Sequence, residues 1–132
     1  MKLIKHLING EIVSMGDPTQ NVYNPSTGEV SKQVEIASKT TVDKAIKAAQ
    51  EAFPAWRATP PLKRASIMFR FKDLLEKNID KIAQLIGEEH GNIAHDALGE
   101  ITRGIENVDY ACYAPQLLKG AHRPHISSNI DP

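Results

Sequence analysis

The sequence has few of the features that mark secreted, membrane-spanning or nucleic-acid-binding proteins. Its single cysteine, Cys112, cannot form a disulfide within the chain, which agrees with a reducing compartment. There is no long apolar run and no signal-peptide core near the start, so we expect no membrane segment and a cytoplasmic location. Lysine plus arginine equals aspartate plus glutamate, 16 each, and the net charge is zero. This balance gives no electrostatic reason to expect nucleic acid or an anionic membrane as a partner.

Local motifs for catalysis, cofactor binding and metal binding are also missing. Neither the G-x-G-x-x-G pattern of a dinucleotide site nor a P-loop glycine pattern occurs. His122 and His125 have a ligand-like spacing but lack the cysteine or acidic partners of a structural metal site. Cys112 lies on the apolar stripe of a predicted helix, which favours a core residue over a nucleophile. Phe53 and Trp56 fall at helical spacing with alanines, which favours packing over a ligand pocket.

The chain does contain a short β-rich start followed by long helical patterns. Asn9-Gly10 separates two apolar runs and predicts a hairpin, and residues 24–28 predict a second turn. A helix should start near Thr40 or Thr41, because Thr40 with Asp43 resembles a capping box and apolar residues then recur at helical spacing. We therefore predict a mainly α protein with a small amino-terminal β portion, in one modest domain of 132 residues.

Prolines, glycines and an asparagine divide the helical region into predicted segments. Pro54 should kink or close the first helix, and residues 59–61 should end it and start the second. Asn78 is a candidate cap of the third helix, which Gly91 should end. The pattern predicts a last helix from about Ala94 to Leu118.

The stretch GEITRGIE places two glycines around one arginine inside the last predicted helix. Each glycine costs roughly 1 kcal/mol relative to alanine in a helix interior. On a helical wheel Arg103 points away from the apolar stripe and shares its face with Gly99, with Gly104 beside it. The simpler interpretation is a surface arginine paired with Glu100 or Glu106. The glycines favour another, in which a partner approaches the helix closely and the guanidinium binds a carboxylate.

Three stretches resemble the aldehyde dehydrogenase superfamily, and in particular its CoA-acylating methylmalonate-semialdehyde dehydrogenases. They are NPSTGEV from Asn24, AFPAWRATPPLKRASIMFRFKDLLEKN from Ala52, and ALGEITRGIENVDYACYAPQLLKG from Ala97. NP-x-TGE marks only the superfamily, whereas the other two stretches together are far more specific. The resemblance covers nearly the whole chain and implies an amino-terminal fragment of the α/β fold of this family.

The resemblance implies an NAD-dependent enzyme that oxidises methylmalonate or malonate semialdehyde and transfers the acyl group to CoA with loss of carbon dioxide. It implies a homo-oligomer, a dimer or tetramer. It further implies that residues 1–120 are part of the NAD-binding domain and that 121–132, predicted to begin a strand, start the oligomerisation β-extension. The arginine of the RGIE motif, Arg103 here, would bind the substrate carboxylate.

The resemblance also implies what this chain lacks. The catalytic cysteine and nearly all of the NAD site would lie beyond residue 132. We therefore expect the chain by itself to bind no NAD or CoA and to be inactive, since no nucleophile is present.

Two other functions remain open. The chain could be a non-catalytic helical interaction module whose docking face contains Gly99, Arg103 and Tyr110. It could also belong to an aldehyde dehydrogenase subfamily that releases a free acid, against which Arg103 argues mildly. The coding sequence after Pro132 would separate the enzyme from the module, because only the enzyme requires a following catalytic domain.

Overall fold

A computed structural model describes residues 2–121 and shows short strands followed by longer helices, which confirms the predicted fold class. The histidine pair at 122 and 125 and nearly all of the segment predicted to begin a strand, 121–132, lie outside the described residues. The strands are β1 (Lys2–Ile4), β2 (His6–Ile8), β3 (Glu11–Val13), β4 (Thr19–Tyr23) and β5 (Val30–Glu35). The helices are α1 (Lys39–Ala58), α2 (Pro61–Lys77), α3 (Ile79–His90), α4 (Ala94–Cys112) and α5 (Ala114–Leu117).

The predicted hairpin at Asn9-Gly10 is confirmed. Strands β2 and β3 pair antiparallel, with Ile8 opposite Glu11. Asn9 and Gly10 have φ angles of 52° and 79°, the pair of positive values that a tight two-residue hairpin turn requires. The turn between two apolar runs is therefore encoded by the two residues that form it.

The second predicted turn joins two strands of a separate three-stranded sheet. Strand β5 lies in the middle, parallel to β1 and antiparallel to β4. In the turn, the Asn24 side-chain oxygen accepts from Ser26 N and its backbone oxygen accepts from Gly28 N, each at 2.8 Å. An asparagine that bonds back to the following backbone is the local reason for a turn here.

Helix α1 begins before either threonine that the sequence suggested. Ser38 is the N-cap, and its Oγ accepts from Thr41 N at 3.3 Å. The helix begins at Lys39, close to the predicted start near Thr40 or Thr41, but neither threonine is its N-cap, and the Thr41 hydroxyl instead donates to Asp17 Oδ2 at 2.5 Å. Asp43 accepts from the Lys39 side chain at 2.6 Å, so the structure has an i,i+4 ion pair in place of the capping box.

Pro54 does not close α1. It lies inside the helix, which continues to Ala58, so the loss of one backbone donor is tolerated at that position. The helix ends at Thr59, whose ψ of 127° is the extended conformation favoured before a proline. The break predicted at residues 59–61 is confirmed, with Pro61 as the first residue of α2.

Asn78 separates α2 from α3 but does not cap α3 through its side chain. Its Nδ2 donates to the Leu74 backbone oxygen at 2.8 Å, so the side chain caps a carbonyl group in the last turn of α2 instead. Gly91 ends α3 as predicted, with φ of 78°, and its N donates to Gly87 O at 2.9 Å.

The last predicted helix is two helices. α4 ends at Cys112, Tyr113 interrupts it, and α5 starts at Ala114. Pro115 explains the break, because it has no N–H with which to continue the ladder of α4. The Tyr113 ring meets Phe69 of α2 edge to face, with centroids 5.9 Å apart, so the interruption also places an aromatic side chain against α2.

The described core lies where α4 packs against α2 and α3. Ala83, Ala97 and Ile101 are buried at its centre, and the isoleucines around them are half-buried (Ile79, Ile82, Ile86 and Ile105). Cys112 is 2% exposed, which confirms it as a core residue. Phe53 and Trp56 of α1 are 56% and 42% exposed, so the prediction that they are packed is wrong for this part of the chain, although the Arg64 guanidinium of α2 lies 5.9 Å from the centre of the Trp56 ring.

Candidate functional site

Arg103 lies on the exposed side of α4 and its side chain leans back along the helix. A Cβ atom built on Gly99 would be 3.5 Å from Arg103 Nη1. Side chains in helices point towards the amino-terminal end, over the turn that precedes them. The guanidinium therefore lies over Gly99, one turn earlier on the same face.

The Arg103 guanidinium forms no ion pair with any residue between 2 and 121. The Glu100 carboxylate instead accepts from Asn92 Nδ2 at 3.3 Å. The simpler interpretation, a surface pair with Glu100 or Glu106, is therefore not what this structure shows. The Arg103 guanidinium is exposed on the surface of α4.

A neighbouring cation shows the contrast. Lys72 of α2 reaches Asp109 Oδ1 at 3.1 Å and Glu76 Oε1 at 3.2 Å. The hydrogen bond with Asp109, followed by that with Glu76, raises the pKa of Lys72 above its usual value. Its charge is locally balanced, whereas the charge of Arg103 has no such partner in the described chain.

The two glycines around Arg103 have different surroundings. Gly99 meets the guanidinium, whereas a Cβ built on Gly104 would have nothing within 4 Å among the described residues. Tyr110, further along the same side, is 66% exposed. The face defined by Gly99, Arg103 and Tyr110 is thus open, and of the two glycines near Arg103 only Gly99 lies beneath its guanidinium.

This arrangement can bind an anion. A guanidinium has five N–H donors in a rigid fork that matches the two oxygens of a carboxylate. Two parallel charge-assisted hydrogen bonds would fix both the position and the orientation of such a ligand. The chemistry available at Arg103 is therefore recognition of an anion with two oxygens, such as a carboxylate.

Cys112, the chain's single cysteine, does not add a nucleophile to this site. Its side chain is buried against the helices, and a thiol there lacks access to a substrate. Between residues 2 and 121, no group of three or more His, Cys, Asp or Glu side chains could hold a metal ion. Within that range the sequence-predicted site is the single residue Arg103 on its glycine-lined face.

Sequence reasoning missed a polar cluster at the start of α1. His6 Nε2 lies 3.1 Å from Asp17 Oδ2 and 3.4 Å from Glu35 Oε2, and the two carboxylate side chains are only 6% and 3% exposed. Hydrogen bonds from Thr41 and then Ser38 lower the pKa of Asp17. The cluster joins the hairpin to β5 and α1, and no local signal predicts it because its members are far apart in sequence.

Comparison with known proteins places the chain in a family. Residues 12–131 match the model of the aldehyde dehydrogenase family, so the chain belongs to this family. Over 131 residues it is 53% identical to malonate-semialdehyde dehydrogenase of Pseudomonas aeruginosa, a match that covers 99% of this chain and 26% of that relative. The chain thus spans about a quarter of the length of this relative.

Solved structures agree with this placement. The chain is 62% identical to methylmalonate-semialdehyde dehydrogenase from Oceanimonas doudoroffii, with a TM-score of 0.91 over 96% of this chain and 26% of that one. A provisionally assigned methylmalonate-semialdehyde dehydrogenase from Sinorhizobium meliloti, solved with NAD, is 34% identical, with a TM-score of 0.89 over 99% of this chain and 27% of that one. No helix within residues 2–121 is both long and apolar enough to cross a membrane.

Proposed function

We propose that the chain forms the amino-terminal part of an NAD-dependent, CoA-acylating methylmalonate- or malonate-semialdehyde dehydrogenase. Residues 1–120 would contribute to its NAD-binding domain, and 121–132 would lead into the strand through which subunits assemble. The names of the relatives and the NAD bound in the Sinorhizobium meliloti structure support this assignment. The buried state of Cys112 supports a catalytic cysteine outside this chain, together with most of the NAD and CoA sites.

The observation that carries the proposal is the Arg103 guanidinium, exposed on α4 and without a carboxylate partner among the described residues. Malonate and methylmalonate semialdehydes each carry one carboxylate at the end opposite the aldehyde. A cation that holds the carboxylate would orient the aldehyde towards a nucleophile supplied elsewhere. Arg103 would thus bind and orient the substrate and distinguish semialdehydes from uncharged aldehydes.

The test uses a chimera in which residues 1–132 replace the matching segment of the Pseudomonas aeruginosa relative. Arg103→Ala should raise the KM for malonate semialdehyde roughly tenfold to a hundredfold, since a hydrogen-bonded charge contributes about 1.5–3 kcal/mol. The KM for propanal, which has no carboxylate, should change little. Arg70→Ala, which removes an exposed arginine from α2, serves as the matched control and should leave both substrates unaffected. Equal losses for both substrates in Arg103→Ala would refute the carboxylate role.

The isolated chain provides a separate test of where the nucleophile lies. Mixed with NAD, CoA and malonate semialdehyde, it should produce no NADH absorbance above background, because its only cysteine is buried. Turnover by the purified chain would contradict this expectation. The coding sequence after Pro132 decides between the enzyme and the interaction module: a frame that continues into a cysteine-bearing catalytic domain supports the enzyme, and a stop codon favours the module.

A further inference from the structure

A pocket of about 150 Å³ lies where the end of α1 and the start of α2 meet α5 and the last turn of α4. Arg64 is the only charged residue among the described residues that line it. The rest of the lining is apolar, and its larger side chains are those of Trp56, Met68, Pro115 and Leu118. The pocket therefore combines a single positive charge with an apolar cavity.

Arg64 lacks the partner that the comparable cations of the chain have. Within residues 2–121, three lysine and arginine residues are half-buried rather than exposed: Lys32, Arg64 and Lys72. Lys32 and Lys72 each lie close to two carboxylates, whereas Arg64 forms no ion pair with any residue of that range. The positions one helical turn from Arg64 carry proline, isoleucine and methionine, so α2 itself supplies no acid.

The surroundings of the Arg64 guanidinium leave its charge uncompensated. Its Nε is buried and has no hydrogen-bond partner, the single side-chain nitrogen or oxygen of the described residues in that state. The guanidinium carbon lies 5.9 Å from the centre of the Trp56 ring, within the range of a cation–π contact. This contact holds the guanidinium at the pocket but offers no oxygen to its donors. A charge that is partly removed from water and lacks a counter-charge favours the binding of an anion.

We propose that this pocket binds a small free acid, a carboxylate carried on an apolar group about the size of a benzene ring. The charge selects a carboxylate, because the fork of guanidinium donors matches its two oxygens. The volume sets the size of the apolar group, since a cavity of roughly 150 Å³ lined by apolar side chains accommodates benzene. The proposal does not rest on the role of Arg103, which lies on the exposed face of α4.

The first experiment follows the indole N–H signal of Trp56 by NMR in the 132-residue chain. Trp56 is the only tryptophan of the sequence, so its signal needs no assignment. At constant ionic strength, benzoate should shift the signal until it saturates. Benzamide has the same ring without the charge and should bind roughly tenfold or more weakly. No saturable shift with benzoate, or equal affinities for the two probes, would overturn the proposal.

Two arginine variants of α2 assign the effect to Arg64. Arg64→Met removes the charge, keeps an unbranched side chain of good helix propensity, and should weaken benzoate binding roughly tenfold or more. Arg70→Met removes an exposed arginine from the same helix and should leave the benzoate affinity unchanged. Unchanged binding in a folded Arg64→Met, checked by circular dichroism, would refute the site. If that variant does not fold, the comparison of benzoate with benzamide in the wild type decides.

The second experiment uses the chimera and separates a free acid from an acidic side chain elsewhere in the enzyme. Saturation-transfer NMR should show benzoate bound to the chimera, with a signal that Arg64→Met reduces. If the dependence on Arg64 is present in the 132-residue chain and missing in the chimera, another part of the polypeptide fills the pocket, and the free acid is refuted as its ligand. The proposed function is tested separately, by the response of the two aldehydes to Arg103→Ala, so either proposal can fail alone.

Discussion

Two glycines in the helical region should respond to alanine substitution with opposite signs. Gly104→Ala should stabilise the chain by roughly 1 kcal/mol, because nothing described lies within 4 Å of the new methyl group and alanine is the better helix former. Gly91→Ala should destabilise it by about 1–2 kcal/mol, the cost of a left-handed conformation for a residue with Cβ. Gly91 has φ of 78°, and its Cβ would also approach Pro25 Cγ to 3.2 Å.

The assay is urea unfolding followed by far-ultraviolet circular dichroism, at several protein concentrations so that self-association is detected. The two variants should differ from each other by roughly 2–3 kcal/mol, with midpoints on opposite sides of the wild type and unchanged slopes. A destabilising Gly104→Ala would show that another group covers this position in the folded chain. A neutral Gly91→Ala would show that the end of α3 does not depend on the left-handed glycine, and the reasoning from backbone conformation would be refuted.

Two further predictions concern buried groups. Thr41→Val removes the hydrogen bond that is the main cause of the lowered pKa of Asp17, so it should destabilise the chain near neutral pH. Because the pKa of Asp17 is lower in the folded chain than the unfolded value of 3.8, its ionised form stabilises the fold above that value, and this stability is lost as the pH falls through the folded pKa. In urea titrations, the difference in free energy of unfolding between variant and wild type should therefore narrow below about pH 4. A difference that is constant with pH would contradict this. Ile101→Ala should lower the free energy of unfolding by about 2–5 kcal/mol, because it opens a cavity in the core. Ile67→Ala on the surface of α2, where Ile67 is 40% exposed, should lower it clearly less in the same assay. Similar losses for the two variants would refute the assignment of the core.

The features that the sequence predicted correctly depend on neighbouring residues. The hairpin at Asn9-Gly10 follows from two positive φ angles that those two residues adopt readily. Gly91 ends α3 for the same reason, and the proline at position 60 forces the extended conformation of Thr59. In each case the residue that causes the feature lies within or beside it, so no tertiary information is needed.

The features that were mispredicted depend on partners elsewhere in the chain or on competition between neighbours. Threonine is a good capping residue, but the Thr41 hydroxyl donates to Asp17, which is distant in sequence, and Ser38 caps α1 instead. Asn78 lies between two helices, and its side chain serves the carbonyl of Leu74. The apolar pattern continues through Tyr113, but Pro115 has no backbone N–H to donate to the helix, and α4 ends at Cys112. Apolar periodicity contains no information about this missing hydrogen-bond donor.

The candidate site was predictable to the level of a helix face. Spacing alone places Arg103 and Gly99 one turn apart on the side opposite the apolar stripe. It does not say which of the two nearby glycines meets the guanidinium, because that depends on the direction in which the side chain leans. The structure gives the answer: a Cβ built on Gly99 would lie 3.5 Å from Arg103 Nη1, whereas one built on Gly104 would have no described atom within 4 Å outside its own helix backbone and chain neighbours. It thus separates two glycines that the motif presents as equivalent.

Helix α1 shows the limit of the amphipathic pattern most clearly. Its apolar stripe predicts burial, yet Ile46, Phe53 and Trp56 are 51%, 56% and 42% exposed. A stripe indicates that a face is covered in the functional molecule, but it carries no information about which segment covers it. The matched relative is about four times as long, since the chain spans 26% of it. Under the proposed function, parts of the enzyme outside residues 2–121 would cover this face of α1. The same parts would supply the nucleophile that attacks the aldehyde of a substrate bound by Arg103. The exposed apolar stripe of α1 and the absence of an ion pair to Arg103 within residues 2–121 would then have one explanation.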